Sequence, residues 1–215
     1  MRNSLFLFVC LLALSGCTNK MQDVNSTIAA YYDSFHDIQL PEQELRDLPY
    51  SSAYLRLDDN KQIFIVLAFA DINPETGTNR LTWIASDKAM ITTENGRIVK
   101  TAFLEGDDLT WFEGLEGEAA PVYSAKQWQA IYDWSPNYRS GFIANIATTQ
   151  LEDDIIESPL WRFSAKHYLE TVTIGDQEFT NQYWIDSNQK VVKTIQYLGP
   201  DMRRIEMTIL KTYQK

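Results

Sequence analysis

Hydrophobic and polar positions change texture twice along this chain. An unbroken apolar run from Leu5 to Leu14 follows a single positive charge at Arg2 and ends in Leu14-Ser15-Gly16-Cys17. After a short polar stretch, Asn25 or Ser26 offers a helix cap, and apolar residues recur as Ile28, Tyr31, Tyr32, Phe35 and Ile38 before Pro41. That spacing places them on one face and predicts an amphipathic helix over 26–38. Its few charges are mostly acidic, so its aromatic stripe fits packing on a sheet better than a membrane surface. A short turn from Pro41 to Arg46 follows.

From Pro49 the period falls to two, and turn residues separate short runs, the pattern of antiparallel strands. Tyr50 to Leu57 pairs with Gln62 to Ala70, whose continuous Ile63-Phe64-Ile65-Val66-Leu67 implies a central strand buried on both faces. Asp71 to Asn79 reads as a loop, and Arg80 to Ala85, Ala89 to Thr93 and Arg97 to Leu104 as a meander turning at Asn95-Gly96. Asn-Gly suits a two-residue hairpin turn because both positions tolerate positive φ. Residues 105–118 gather Glu105, Asp107, Asp108, Glu113, Glu116 and Glu118 among glycines and read as a solvated loop, without the ligand rhythm of a calcium site. Glu152-Asp153-Asp154 reads the same way, since adjacent carboxylates on extended chain point apart.

Trp128, Ala130, Tyr132 and Trp134 alternate as a strand. Gly141 to Leu151 and Leu160 to Ile174 continue the pattern, the latter broken or bulged near Ala165 to His167. Glu178 to Ile185, Lys190 to Leu198 and the alternation Ile205, Met207, Ile209 complete it, with turns at Gly175-Asp176 and Ser187-Asn188. About a dozen strands with no βαβ rhythm predict a mainly β fold. The expected architecture is an antiparallel barrel, closed or half-closed, or a sandwich, with the N-terminal amphipathic helix. One echo recurs: Asn95 to Thr101 matches Asn188 to Thr194 in order and chemistry, after Trp83-Ile84 and Trp184-Ile185 respectively. A duplicated meander and two hairpins obeying the same turn rules both account for it.

The apolar run at the start is too short to span a bilayer and has the layout of a secretory signal. Small residues leading into Cys17 resemble the lipobox of bacterial lipoproteins, in which cleavage precedes a lipid-modified cysteine. The resemblance divides the chain into a signal peptide over 1–16, a lipidated cysteine and tether over 17–24, and a single β-rich domain over 25–215. Two or more acyl chains at Cys17 would anchor it stably to a membrane. The tether is so short that the domain would work close to the bilayer.

Composition narrows the partners. The chain carries a net charge of −10, and loss of Arg2 with the signal makes it more negative, which argues against nucleic acid and anionic headgroups. Cys10 leaves with the signal and Cys17 takes lipid, so the domain would hold neither disulfide nor free thiol. Its two histidines, His36 and His167, lack partners at zinc spacing, and neither a metal nor another cofactor is expected. No nucleophile elbow, phosphate loop or dinucleotide fingerprint occurs, so the expectation is a protein without enzymatic activity. The alternative is a polysaccharide-modifying enzyme with two carboxylates remote in sequence.

The blocks Leu48-Pro49-Tyr50-Ser51-Ser52, the Trp83 strand, Asn95 to Thr101 with Asp108-Leu109, and Asn181 to Asp186 through Lys193 to Pro200 join the lipobox in a wider likeness. With them the chain resembles the YjbF/GfcB family of bacterial outer-membrane lipoproteins encoded with exopolysaccharide and group 4 capsule operons. The resemblance covers nearly the whole mature chain and implies a β-rich lipoprotein assisting assembly or export of capsule polysaccharide or exopolysaccharide. Implied partners are outer-membrane polysaccharide export proteins and polysaccharide itself, and no catalytic residue is carried over. Where members of the family often place glycine in the last hairpin turn, this chain has Asn188-Gln189, and the left-handed tolerance of Asn accommodates the change. Thr18 behind the anchor, where Asp would retain enteric lipoproteins in the inner membrane, implies the outer membrane, and a periplasmic face is expected with it. Trp111, Trp128, Trp134 and Trp161 lie near predicted loops or strand ends and are candidate glycan contacts, though each taken singly suits a core better. A half-open barrel carrying an acyl chain is a further alternative.

Overall fold

A computed structural model describes residues 37–213 apart from 118, 120, 125, 126 and 138. The predicted helix over 26–38 lies outside them except for Asp37 and Ile38, which are not helical: the Ile38 N–H donates to the Gln62 carbonyl at 3.1 Å. Cys17 also lies outside the described residues. The turn expected from Pro41 is a six-residue helix, α1 (Glu42–Asp47), which buries Leu45. Glu42 and Arg46, one turn apart, pair across it.

Thirteen strands follow among the described residues: β1 (Ser52–Leu57), β2 (Ile63–Ile72), β3 (Asn79–Ile84), β4 (Met90–Glu94), β5 (Arg97–Ala102), β6 (Asp108–Gly114) and β7 (Gln127–Ser135). After them come β8 (Arg139–Gln150), β9 (Asp154–Ser158), β10 (Trp161–Ile174), β11 (Gln177–Ile185), β12 (Val191–Tyr197) and β13 (Arg204–Lys211). They form one antiparallel sheet ordered β5-β4-β3-β2-β1-β13-β12-β11-β10-β8-β7-β6, with β9 beside β10. The last strand pairs with the first, Leu55 opposite Met207. The edges left over, β5 and β6, are consecutive in sequence. The result is a nearly closed barrel, not a sandwich.

The alternation read from the sequence decides which side chains enter the barrel. On β10, Tyr168, Glu170, Val172 and Ile174 are buried, while the residues between them are half-exposed. Ala130, Tyr132 and Trp134 of β7 point the same way and join the interior with Trp83, Ile146 and Met207. The run at the start of β2 is buried on both faces as expected, because the segment before β1 covers it from outside. Tyr54 meets Phe64 edge-on at 6.3 Å, and its hydroxyl accepts the Leu40 N–H at 2.9 Å.

Four details differ from the expectation. β2 continues through Asp71 and Ile72, into the predicted loop, as far as its pairing with β3 carries it. Residues 105–118, read as a solvated loop, contain β6, because Leu109 and Phe112 enter the core between the acidic positions. β9 went unread, and it explains the irregularity placed near Ala165: β10 pairs with β9 up to Ala165 and with β11 from Lys166 onward. In the last hairpin turn the left-handed residue is Gln189, with φ 62°, not Asn188. The Asp186 carboxylate accepts the N–H groups of Asn188 and Lys190, holding that turn so that Gln189 takes the strained position.

The repeated heptad is alike in structure beyond its turns. β5 has an extra residue at Val99, between Ile98 opposite Thr93 and Lys100 opposite Thr92. β12 has one at Val192, between Val191 opposite Ile185 and Lys193 opposite Trp184. The preceding Trp-Ile pairs do not correspond: Trp184 lies on the strand that enters the turn, whereas β4 stands between Trp83 and Asn95.

Candidate functional site

The seam between β5 and β6 is built by residues that pull the two edges in different directions. Asn95 and Gly96 both have positive φ, 49° and 83°, which makes the tight turn into β5. Gly96 lies against Val191, so close that a Cβ there would fall 2.4 Å from the valine Cβ. Gln196 of β12 holds this end of β5, donating to the Gly96 carbonyl at 2.9 Å and accepting the Ile98 N–H at 2.9 Å. Arg97 follows it inward and meets Glu170 of β10 at 2.6 Å, both side chains almost wholly buried. The start of β5 is thereby tied to β10 and β12 instead of β6.

At its other end β5 is stapled to β6 by side chains. The Asp108 carboxylate accepts the Thr101 hydroxyl at 2.9 Å and the N–H groups of Phe103 and Leu104, and the Leu109 N–H donates to the Thr101 oxygen at 2.9 Å. Asp108, counted with the solvated acids in the sequence, is a structural clasp.

The Arg97–Glu170 pair is enclosed by aromatic rings. The guanidinium carbon lies 5.6 Å from the Phe112 ring centre, 4.9 Å from that of Trp128 and 5.7 Å from that of Tyr183. The Tyr183 hydroxyl is 3.2 Å from Glu170 and 3.1 Å from Gln196. Burial works against the charge on Arg97, but the attraction of Glu170 outweighs it and raises the guanidinium's pKa further. Burial first, and then the negative charge of Glu170, raise the pKa values of the Tyr132 and Tyr183 phenols.

Where β5 and β6 diverge, a cleft of about 350 Å³ opens. One wall is set by strand register, with Thr82, Thr92 and Lys100 aligned across β3, β4 and β5, and Met90 and Ala102 opposite each other one step away. The other wall is Thr110, Trp111 and Phe112 of β6. A lobe of about 150 Å³ continues past Arg80, Glu94 and Asn73. There the Glu94 carboxylate meets Arg80 at 2.6 Å and accepts the Thr78 hydroxyl at 3.1 Å and the Asn73 amide at 3.2 Å. Trp111 lines both spaces and is 47% exposed, its indole N–H donating to Glu113 at 3.2 Å. The cleft thus offers a half-exposed indole, hydroxyls, an ion pair and apolar side chains.

The structure does not bring the four singled-out tryptophans together. Trp128 faces inward over Arg97, its indole nitrogen buried without a hydrogen-bond partner. Trp134 is buried, donating to the Leu198 carbonyl at 2.7 Å and stacked on Tyr132. Trp161 lies outside β13, stacked on Phe163 and donating to the Ile209 carbonyl at 3.1 Å, beside a shallow groove with Pro49 and Lys211. Only Trp111 of the four faces the cleft. Arg97, Glu170 and Lys100 were not singled out from the sequence. For Glu170 a signal existed, since it is a charge at an inward position of an alternating strand. His167 stacks on Trp184 at 4.4 Å and bonds Gln182. Among the described residues no group of three or more His, Cys, Asp or Glu is placed to hold a metal ion.

Comparison with known proteins adds a family. The model of a family described as group 4 capsule polysaccharide lipoprotein GfcB, YjbF matches residues 24–210. The uncharacterized lipoprotein GfcB of Escherichia coli K12 is 28% identical over 96% of this chain and 97% of its own length. The uncharacterized lipoprotein YjbF of the same organism is 26% identical over 98% of each. The crystal structure of the hypothetical lipoprotein YmcC, also from Escherichia coli K12, superposes with a TM-score of 0.70 at 26% identity, covering 82% of this chain and 91% of that one.

Proposed function

This chain belongs to the family of group 4 capsule polysaccharide lipoproteins that includes GfcB and YjbF, and on that premise we propose that it binds capsule polysaccharide or exopolysaccharide in the β5–β6 cleft during assembly or export. Lipoproteins of this kind are anchored in the cell envelope. Attachment through Cys17, with Thr18 behind it, supports a location at the outer membrane, and the proposal places the domain on its periplasmic face. The observation that carries the binding role is Trp111, a half-exposed indole lining a cleft whose other wall presents aligned threonines. An aromatic face covers the C–H face of a sugar ring, and neighbouring hydroxyls and amides satisfy its hydroxyl groups. The role is one of holding, not of cleavage. Of the three carboxylates lining the lobe, Glu75, Glu94 and Glu113, the last two are engaged by Arg80 and by the indole itself, which leaves no free pair for acid and base.

The interior favours this reading over an acyl carrier, because the tied-in turn of β5 and the Arg97–Glu170 pair occupy one end of the barrel with polar groups. A second contact, with an export protein, is favoured by β2. Beyond its pairing with β1 this strand leaves Phe69 59% and Ile72 58% exposed along an edge.

Titrating the lipidated protein in detergent micelles with the polysaccharide of its own cell tests the first reading. Quenching or a blue shift of tryptophan emission is expected, with binding weakened about fivefold or more by Trp111→Ala, the scale of ~1–3 kcal/mol for loss of an aromatic stacking contact. Full-strength binding by Trp111→Ala would remove the cleft from the account.

A further inference from the structure

We propose that the sugar held in the cleft is an acidic one, its carboxylate met by Lys100; the inference rests on the glycan-binding reading above. Lys100 stands at the end of the Thr82–Thr92–Lys100 row, exposed and lining the same cavity as Trp111. No carboxylate of the described residues pairs with it. Glu94 holds Arg80, Asn73 and Thr78, Glu113 accepts the Trp111 indole, and Asp108 clasps Thr101, while Glu75 lines the lobe but not the cavity that Lys100 lines.

The second cation on this wall, Arg80, is already neutralised by Glu94. Lys100 is therefore a positive charge left to the cleft in a chain whose net charge is −10. Acidic surface repels an anionic polymer over most of the molecule, so a site that accepts one must supply the compensating charge locally. A lysine ammonium on a flexible stem suits a carboxylate whose height above the indole varies along a polymer, since it acts as a point charge with rotatable donors. The aligned Thr82 and Thr92 hydroxyls, 3.1 Å apart, extend that wall with groups that both donate and accept.

The test uses two oligosaccharides identical but for one residue, a hexuronic acid in the first and its carboxyl-reduced hexose in the second. Each is titrated calorimetrically into the lipidated protein in neutral micelles at low and at physiological salt. The acidic form is expected to bind about tenfold more tightly at low salt, with the margin shrinking as salt rises. Lys100→Gln should bring the acidic form down to the neutral one, and Lys100→Arg should keep the margin. Equal binding of the two sugars by the unaltered protein, or a margin that survives Lys100→Gln, overturns the acidic specificity while leaving glycan binding in place. Binding of neither sugar overturns both.

Discussion

At the scale of single residues, Arg97 shows how a costly choice serves placement. Taking two charges out of water costs several kcal/mol per ion, and a buried pair often stabilises no more than an apolar one of the same shape. What the pair does here is geometric: it ties the start of β5 to β10, across 73 residues of sequence. The phenols around it make this end of the barrel sensitive to alkali. Tyr132 and Tyr183 both titrate above their ordinary value of 10.0 in the fold. Their contribution is therefore intact below pH 10 and is lost as pH rises toward their folded values, because the unfolded chain gives up these protons first. Unfolding midpoints in urea should fall as pH climbs past 10. Tyrosinate absorbance from these two phenols should appear only with unfolding, and their ionisation in the intact fold near pH 10 would contradict the burial that explains the shift.

At the scale of elements, the turn into β5 decides how far the barrel closes. Gly96 combines a φ of 83° with a backbone packed against Val191, whereas Gly77, with a φ of 70°, has open space where a Cβ would stand. Gly77→Ala should cost only the left-handed penalty of about 1–2 kcal/mol. Gly96→Ala should cost clearly more in denaturant titrations, since the turn must also back away from Val191. Equal losses would mean that the contact does not constrain β5.

The same scale shows which elements were legible. The strands with clean alternation, β7 and the second half of β10, were read in place because one face of each meets the core. β6 was hidden because its alternation is broken between Leu109 and Trp111, where the register with β7 slips, and because its acids and glycines imitate a loop. Asp108 looks solvated in sequence since its partners are set by the seam. Trp111 stands in the sequence beside Trp128 and Trp134 as an equal candidate, and only the alternation on β7, which puts those two inside, separates it from them. Nothing local marks Lys100, one exposed lysine among several, until strand register places it beside Thr92.

At the scale of the whole molecule, location and binding are separable. Cys17→Ser should leave the fold and the cleft intact but move the protein from the membrane to the soluble periplasmic fraction, with loss of fatty-acid labelling. Retention in the membrane fraction without label would mean that something besides lipid holds it there.

What depends on neighbours along the chain could be read from the sequence alone: the apolar run and Cys17 on which the proposal of export and anchoring rests, the two-residue period of the strands, the Asn95-Gly96 turn, and the acidic net charge. Each follows from local geometry or composition, and needs no knowledge of what lies across the barrel. The tertiary structure alone decided that β13 closes on β1 and that β5 and β6 are left as the unladdered edges. It also decided that Arg97 meets Glu170 inside and that Trp111 and Lys100 line one cleft. Those facts rest on pairings between distant segments. Many registers satisfy the same alternation locally, and only simultaneous burial of all the inward faces selects one.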